Sequence, residues 1–279
     1  MKDQILNLGM SSPQLKDYIQ FKSFSWLYNQ LFETVEAQSD ALKEKAFRIR
    51  YEVLCEEFGY HQIKPDADKM ERDHYDEHAR HILLIHKRSG EAIGTVRVVL
   101  PNMDDLHNSF PLQERFQGGR LKDEQLLKST CEISKLCVLK QFRSRKGDEG
   151  SPLGCVHDQD QETFMDKTAR RIARRLIPFA PIGLIRSSFE VAIQNGQTQC
   201  CVLLETPLID SFEQLGIMCH RIGPVIDYEG RQPVLIDIFM SLHNMRIKQK
   251  AIWEVMTHNG LLHDQIMHLK TKNLLGESP

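Results

Sequence analysis

Apolar positions set out the elements of this chain before any chemistry is considered. Between residues 39 and 59, Ala46, Ile49, Val53 and Leu54 recur at the three- and four-residue spacing of a helix face. Ser39 or Asp40 stands where an N-cap belongs, and Gly59 can end the helix. Two β-rich runs, "HILLIHK" (81–87) and "AIGTVRVVL" (92–100), flank "RSGE" and predict a hairpin. "FETVEA" (32–37), "CEISKLCVL" (131–139) and "QCCVLLE" (199–205) predict further strands, and "NSFPLQERF" (108–116) a short helix. A long helical region over 162–196 must bend or break at Pro178 and Pro181. "PLIDSFEQLG" predicts a helix ending at Gly216, and 218–240 a pair of strands turning at Glu229-Gly230. The stretch from about 241 has the pattern of one polar amphipathic helix with a tail.

The predicted order is strand, helix, three strands, helix, strand, helix, two strands. It implies an α/β sandwich with a mixed sheet between helices. A helical arm opens at Ser12-Pro13, so the chain divides into an arm (1–31), a main domain (32–240) and a C-terminal helix with tail (241–279). The polar, glycine-containing segment 143–160 reads as a mobile loop. No G-x-G-x-x-G or Walker loop is present, so the pattern is not that of a dinucleotide or P-loop fold.

Bulk properties narrow the function classes. The 279 residues carry a formal charge of −2, which argues against a dedicated nucleic-acid binder. The start has no secretory pattern, and the longest apolar run, "LIPFAPIGLI" (176–185), is too short to span a membrane. Seven cysteines without a C-x-x-C pair read as reduced thiols of a cytoplasmic protein. His61, His74, His78, His81 and His86 fit no standard metal-ligand spacing, so no metal is expected.

Four motifs in order then become informative: "RYEVLCEEFGY" (50–60), "ERDHYD" (71–76), "GTVRVVLP" (94–101) and "CEISKL" (131–136). Together with the element order they resemble the acyl-homoserine-lactone autoinducer synthases of the N-acetyltransferase (GNAT) superfamily. The later segment "LGIMCHRIGPVIDYEGRQPVLIDI" (215–238) resembles their relatives, the N-acyl amino acid synthases, including PEP-CTERM/exosortase-associated acyltransferases. The resemblance implies a GNAT three-layer sandwich and a cleft where an amino-acid-like substrate meets an acyl thioester. It places Arg50, Asp73, Asp76, Arg97, Glu132 and Ser134 at that cleft. Where autoinducer synthases favour an aromatic residue and then Trp around adenosylmethionine, this chain has Leu54 and Tyr60, and Lys135 follows Ser134 where they favour Arg. These departures favour a plain amino acid as acceptor.

Within that frame Glu132 is the candidate base that deprotonates the amine; the alternative is a strand carboxylate paired with a basic neighbour. Arg97, a cation in an apolar run, needs an anion: Asp73 or Asp76 as a structural partner, or the substrate carboxylate. Arg50 reads as an ion-pair former with the acidic loop. The resemblance puts the oxyanion contact at a backbone N–H of Leu136 or Cys137. "QFRSRKG" (141–147) matches a coenzyme A pyrophosphate loop only loosely. An acyl-phosphopantetheine thioester on an acidic acyl carrier protein is therefore the expected co-substrate, with no tightly bound cofactor. Arg143, Arg145 and Lys146 are the candidate docking residues. The run of Arg170, Arg171, Arg174 and Arg175 reads equally as docking patch or solvated helix face. "LIPFAPIGLI" can line an acyl-chain pocket or simply pack in the core. The rival readings are an adenosylmethionine-using lactone synthase, a coenzyme A-dependent acyltransferase and a non-catalytic carrier-binding module.

Overall fold

A computed structural model describes residues 24–60, 67–142, 176, 179–228 and 230–275. Seven strands form one sheet in the order β1-β2-β3-β4-β5-β7-β6. They are β1 (Phe32–Glu36), β2 (Ala79–His86), β3 (Glu91–Val99), β4 (Thr130–Val138), β5 (Gln199–Glu205), β6 (Cys219–Arg221) and β7 (Arg231–Asp237). All neighbours are antiparallel except β4 and β5. The predicted hairpin is present, with Leu83 opposite Thr95.

Side chains alternate across the sheet, and each face has its own cover. Ile82 and Leu84 join a core with Leu184 and Phe189 of the helix Pro181–Gln194. Leu83, between them, faces Ala46 and Ile49 of the helix Asp40–Arg50. Ser39 caps that helix, its side chain accepting from the Leu42 N–H. The result is the three-layer mixed sandwich implied above. No described helix is long and apolar enough to cross a membrane.

The first and last described segments feed the main core. Residues 24–31 are helical, and Tyr28, fully buried, donates to the Ala180 carbonyl (2.9 Å) and accepts from the Gly183 N–H (2.7 Å). Gly183 is required there, because a Cβ would sit 2.6 Å from the tyrosine oxygen. The C-terminal stretch differs from the expected single polar helix. It forms three helices, Ile238–Lys248, Lys250–Met256 and Leu261–Leu275, broken at Gln249 and at the turn before Leu261. Leu242, Met245, Ile252, Val255, Leu262 and Ile266 from these helices share the core with Leu184 and Phe189. The first helix begins inside the segment read as strand, because Asp237 caps it through the Met240 N–H (2.8 Å). The packing therefore runs across both 31/32 and 240/241.

Two irregularities prepare the site. β4 and β5 pair only from Thr130–Gln199 to Glu132–Cys201, and beyond that point no ladder joins them. Across β3, Thr95 pairs with Cys137 and Arg97 with Ser134, so Val96 opposes both Lys135 and Leu136. This is a β-bulge, with Lys135 at φ +55°.

Candidate active site

The gap between β4 and β5 opens into a cavity of about 180 Å³. Its β4 wall carries Glu132, Ser134, Lys135 and Leu136, its β5 wall Leu203, Leu204 and Glu205. Arg97 and Asp73 border it beside β4; Arg115, Tyr228 and Arg231 complete the rim.

Beside the cavity lies a charge network that the first helix and the following loop assemble. The helix continues from Arg50 into a π-helical turn, Tyr51–Glu57. Such widened turns recur at functional sites. Arg50 is buried and grips Asp76 in a two-pronged fork (2.7 and 2.9 Å), while its Nε donates to Glu71. Arg97, also buried, donates to Asp73 (2.5 Å), Asp76 (2.9 Å) and the Ser134 hydroxyl (3.2 Å). Lys135 donates to Glu71 at 2.7 Å. Asp73 and Asp76 are fixed by a reciprocal cap: the Asp73 N–H donates to Asp76 (2.8 Å) and the Tyr75 N–H to Asp73 (3.0 Å).

Arg50, Arg97 and Lys135 thus face Glu71, Asp73 and Asp76, and the network balances its own charge. Burial alone would raise the Asp76 carboxyl, but the Arg50 fork and the charge of Arg97 hold it well below the usual range. Burial opposes ionisation of Glu71 likewise, and Arg50 and Lys135 override it. Lys135 stays in the left-handed region, at a cost of about 1–2 kcal/mol for a non-glycine residue, while its ammonium is anchored on Glu71.

Glu132 stands apart from this balance. It is 4 % exposed and accepts a hydrogen bond from the Leu112 N–H at 2.7 Å. Burial pushes its carboxyl up to about 7, against the lowering pull of Arg97, the Leu112 N–H and Ser134. A carboxyl poised near neutrality in a cleft wall can exchange a proton at physiological pH.

The residues read from sequence fall out as follows. Arg50, Asp73, Asp76, Arg97 and Ser134 converge on one network, and Glu132 lies beside it in the cleft wall. Leu136 lines the cavity. The Cys137 side chain points to the other face, among Ala46, Ile49 and Leu83, and burial pushes its thiol up to about 12. Of the two anion sources weighed for Arg97, the structural one is filled by Asp73 and Asp76. Arg143, Arg145, Lys146, Arg170, Arg171, Arg174 and Arg175 lie outside the described residues, as do His61 and the segment 143–160. Among the described residues no His, Cys, Asp and Glu group has the form of a metal site. Arg115, Tyr228 and Arg231 escaped the reading of the sequence, while Glu71 entered it only as part of the acidic loop expected to pair with Arg50. Tyr228 and Arg231 lie in the "YEGRQP" segment, which carried the resemblance without revealing a role.

Residues 49–150 match the family model of the acetyltransferase (GNAT) domain. That stretch therefore carries the pattern of a GNAT acetyltransferase domain. FeeM and TofI, both solved, share its fold. FeeM, an N-acyl amino acid synthase from uncultured soil microbes, aligns with a TM-score of 0.52 at 11 % identity, covering 78 % of this chain and 96 % of its own. TofI, solved in a ternary complex with an inhibitor and MTA, aligns with a TM-score of 0.50 at 19 % identity, covering 79 % and 99 %. The AHL synthase LasI aligns with a TM-score of 0.47 at 17 % identity, covering 75 % and 89 %. No curated protein sequence matches the chain. In this chain the bulge in β4 and the early end of the β4–β5 ladder border the cleft described above.

Proposed function

We propose that this GNAT domain transfers an acyl group, of long-chain type, from the phosphopantetheine thioester of an acyl carrier protein to the α-amine of an amino acid in the cytoplasm. The observation that carries the reading is Glu132, a buried carboxyl with its pKa near 7 in the wall of the β4/β5 cleft. An α-amine has an ordinary pKa of about 8, so proton transfer from the ammonium to Glu132, directly or through one water, is nearly balanced. The neutral nitrogen attacks the thioester carbonyl carbon, and a C–N bond forms. The carbon–sulfur bond then breaks, the thiol leaves with the proton returned by Glu132, and the second proton that the nitrogen loses as the amide forms passes to water. As charge develops on the carbonyl oxygen, we assign its contact to the backbone N–H of Leu136, in the bulge, or of Cys137, which follows it. A bulge leaves an amide free of the ladder, which is what such a contact needs.

Arg50, Arg97, Asp76 and Glu71 act in this scheme as the rigid support of the cleft. Asp73, with a side chain 30 % exposed, is the acid of the network that reaches the cavity. We assign to it the attraction of the acceptor's ammonium. Leu54 and Tyr60 line the same cavity, which supports a small amino acid in preference to adenosylmethionine. The test is a competition assay holding an acyl carrier protein thioester, coenzyme A thioester, amino acids and adenosylmethionine together. N-acyl amino acid is the expected main product, with the carrier-protein donor consumed first. Lactone as the main product would replace this reading with that of an autoinducer synthase.

A further inference from the structure

The charge network of the cleft leaves out two cations of the rim, Arg115 and Arg231. Arg115 and Arg231 both border the cavity that Glu132 and Asp73 border. They share one aromatic ring: the Arg115 guanidinium carbon lies 3.8 Å from the Tyr228 centroid and that of Arg231 5.6 Å from it. Arg231 also donates to the Tyr60 hydroxyl at 2.9 Å. Arg97 and Lys135, the other cations of the wall, are matched by Asp73, Asp76 and Glu71. Among the described residues Arg115 forms no ion pair, and the ion pair of Arg231 is with half-exposed Glu205 at 3.9 Å. Two guanidiniums beside one ring repel each other unless an anion joins them, and an aromatic face holds such groups flat and ready.

We propose that Arg115 and Arg231 form the seat of the acceptor's carboxylate, with Tyr228 holding both guanidiniums in place. This rests on the amino-acid reading of the cleft and assigns the recognition of the acid to this pair in place of Arg97. The distances along the chain fit. Leu112, whose N–H binds the base at 2.7 Å, lies three residues before Arg115 in the helix Pro111–Arg115. The seat is therefore about one helical turn from the contact to Glu132. The cleft becomes bipolar, with Glu132 and Asp73 toward the ammonium and two forked donors toward the carboxylate. That is the complement of a zwitterion. A two-oxygen anion can take one hydrogen bond from each arginine.

The donor's pantetheine phosphate is also an anion, so the test separates the two sources. A thermal-shift screen of the proteinogenic amino acids on the full chain selects the probe. That amino acid and its amide are then titrated by calorimetry onto wild type, Arg115→Gln and Arg231→Gln. The KM of acceptor and of acyl carrier protein thioester are measured in parallel. Each substitution is expected to weaken amino-acid binding and raise the acceptor KM by about 10- to 100-fold, the loss of one charge-assisted hydrogen-bonded pair. The donor KM is expected to stay within about twofold. Wild type is expected to prefer the acid to the amide, and the variants to lose that preference. A raised donor KM with an unchanged acceptor KM would assign the arginines to the phosphate and overturn the proposal, as would equal binding of acid and amide by wild type. Tight, arginine-dependent amino-acid binding without any acyl transfer would uphold the seat and sink the acyl-transfer reading instead.

Discussion

Replacing Glu132 by Gln is expected to make the protein more stable at pH 8 and nearly inactive. The carboxyl ionises near 4.5 in an unfolded chain and near 7 in the fold. At pH 8 the native state must therefore hold a buried negative charge that the unfolded chain solvates easily. Each pH unit between the two values costs about 1.4 kcal/mol, so the interval amounts to roughly 3 kcal/mol. The sign follows from linkage: the folded group binds its proton more tightly, so this term favours the native state at low pH and is lost as pH rises from about 4.5 to about 7. Glutamine keeps an oxygen for the Leu112 N–H (2.7 Å in the native pair) and removes the charge. Denaturant unfolding of both proteins from pH 5 to pH 8 measures the difference. The variant is expected to gain up to about 3 kcal/mol relative to wild type over that range. Turnover is expected to fall by about 10²- to 10⁴-fold. A stability difference that does not change with pH would refute a buried carboxyl titrating near neutrality, and with it the argument for the base.

Arg50→Ala strips the partner from buried Glu71 and Asp76, and a loss of about 3–5 kcal/mol in unfolding free energy is expected, with the cleft network collapsing. Tyr28→Phe leaves the Ala180 carbonyl and Gly183 N–H without their buried partner, so a loss of about 1–3 kcal/mol is expected from the same assay. Charge reversal at Arg143, Arg145 and Lys146 is expected to raise the KM for acyl carrier protein, and added salt to do the same to wild type; use of the carrier without any salt effect would remove them from docking.

The sheet was legible because its apolar runs alternate and its punctuation is local: Ser39 caps and Gly216 ends the helices where the sequence places them. The C-terminal helices were not. Ile252, Val255, Leu262 and Ile266 come from two separate helices on either side of the turn at Gly260, so no single helical period joins them. At the site, Arg97 betrayed itself as a cation in an apolar strand. Glu71 looks like one more acid in a polar loop, and becomes a buried ligand of Arg50 and Lys135 only when three elements meet. Arg115 and Arg231 are ordinary rim arginines until the fold sets them beside the same tyrosine. Long-range pairing of this kind leaves no mark in local pattern.

The most direct test of acyl transfer at this cleft is mass spectrometry of the products formed from an acyl carrier protein thioester and an amino-acid mixture, by wild type and by Glu132→Gln in parallel. Wild type is expected to yield an N-acyl amino acid and an equal amount of free carrier thiol, with the variant yielding neither in the same time. Equal product from both proteins, or thiol released without any acyl amide, would contradict the account.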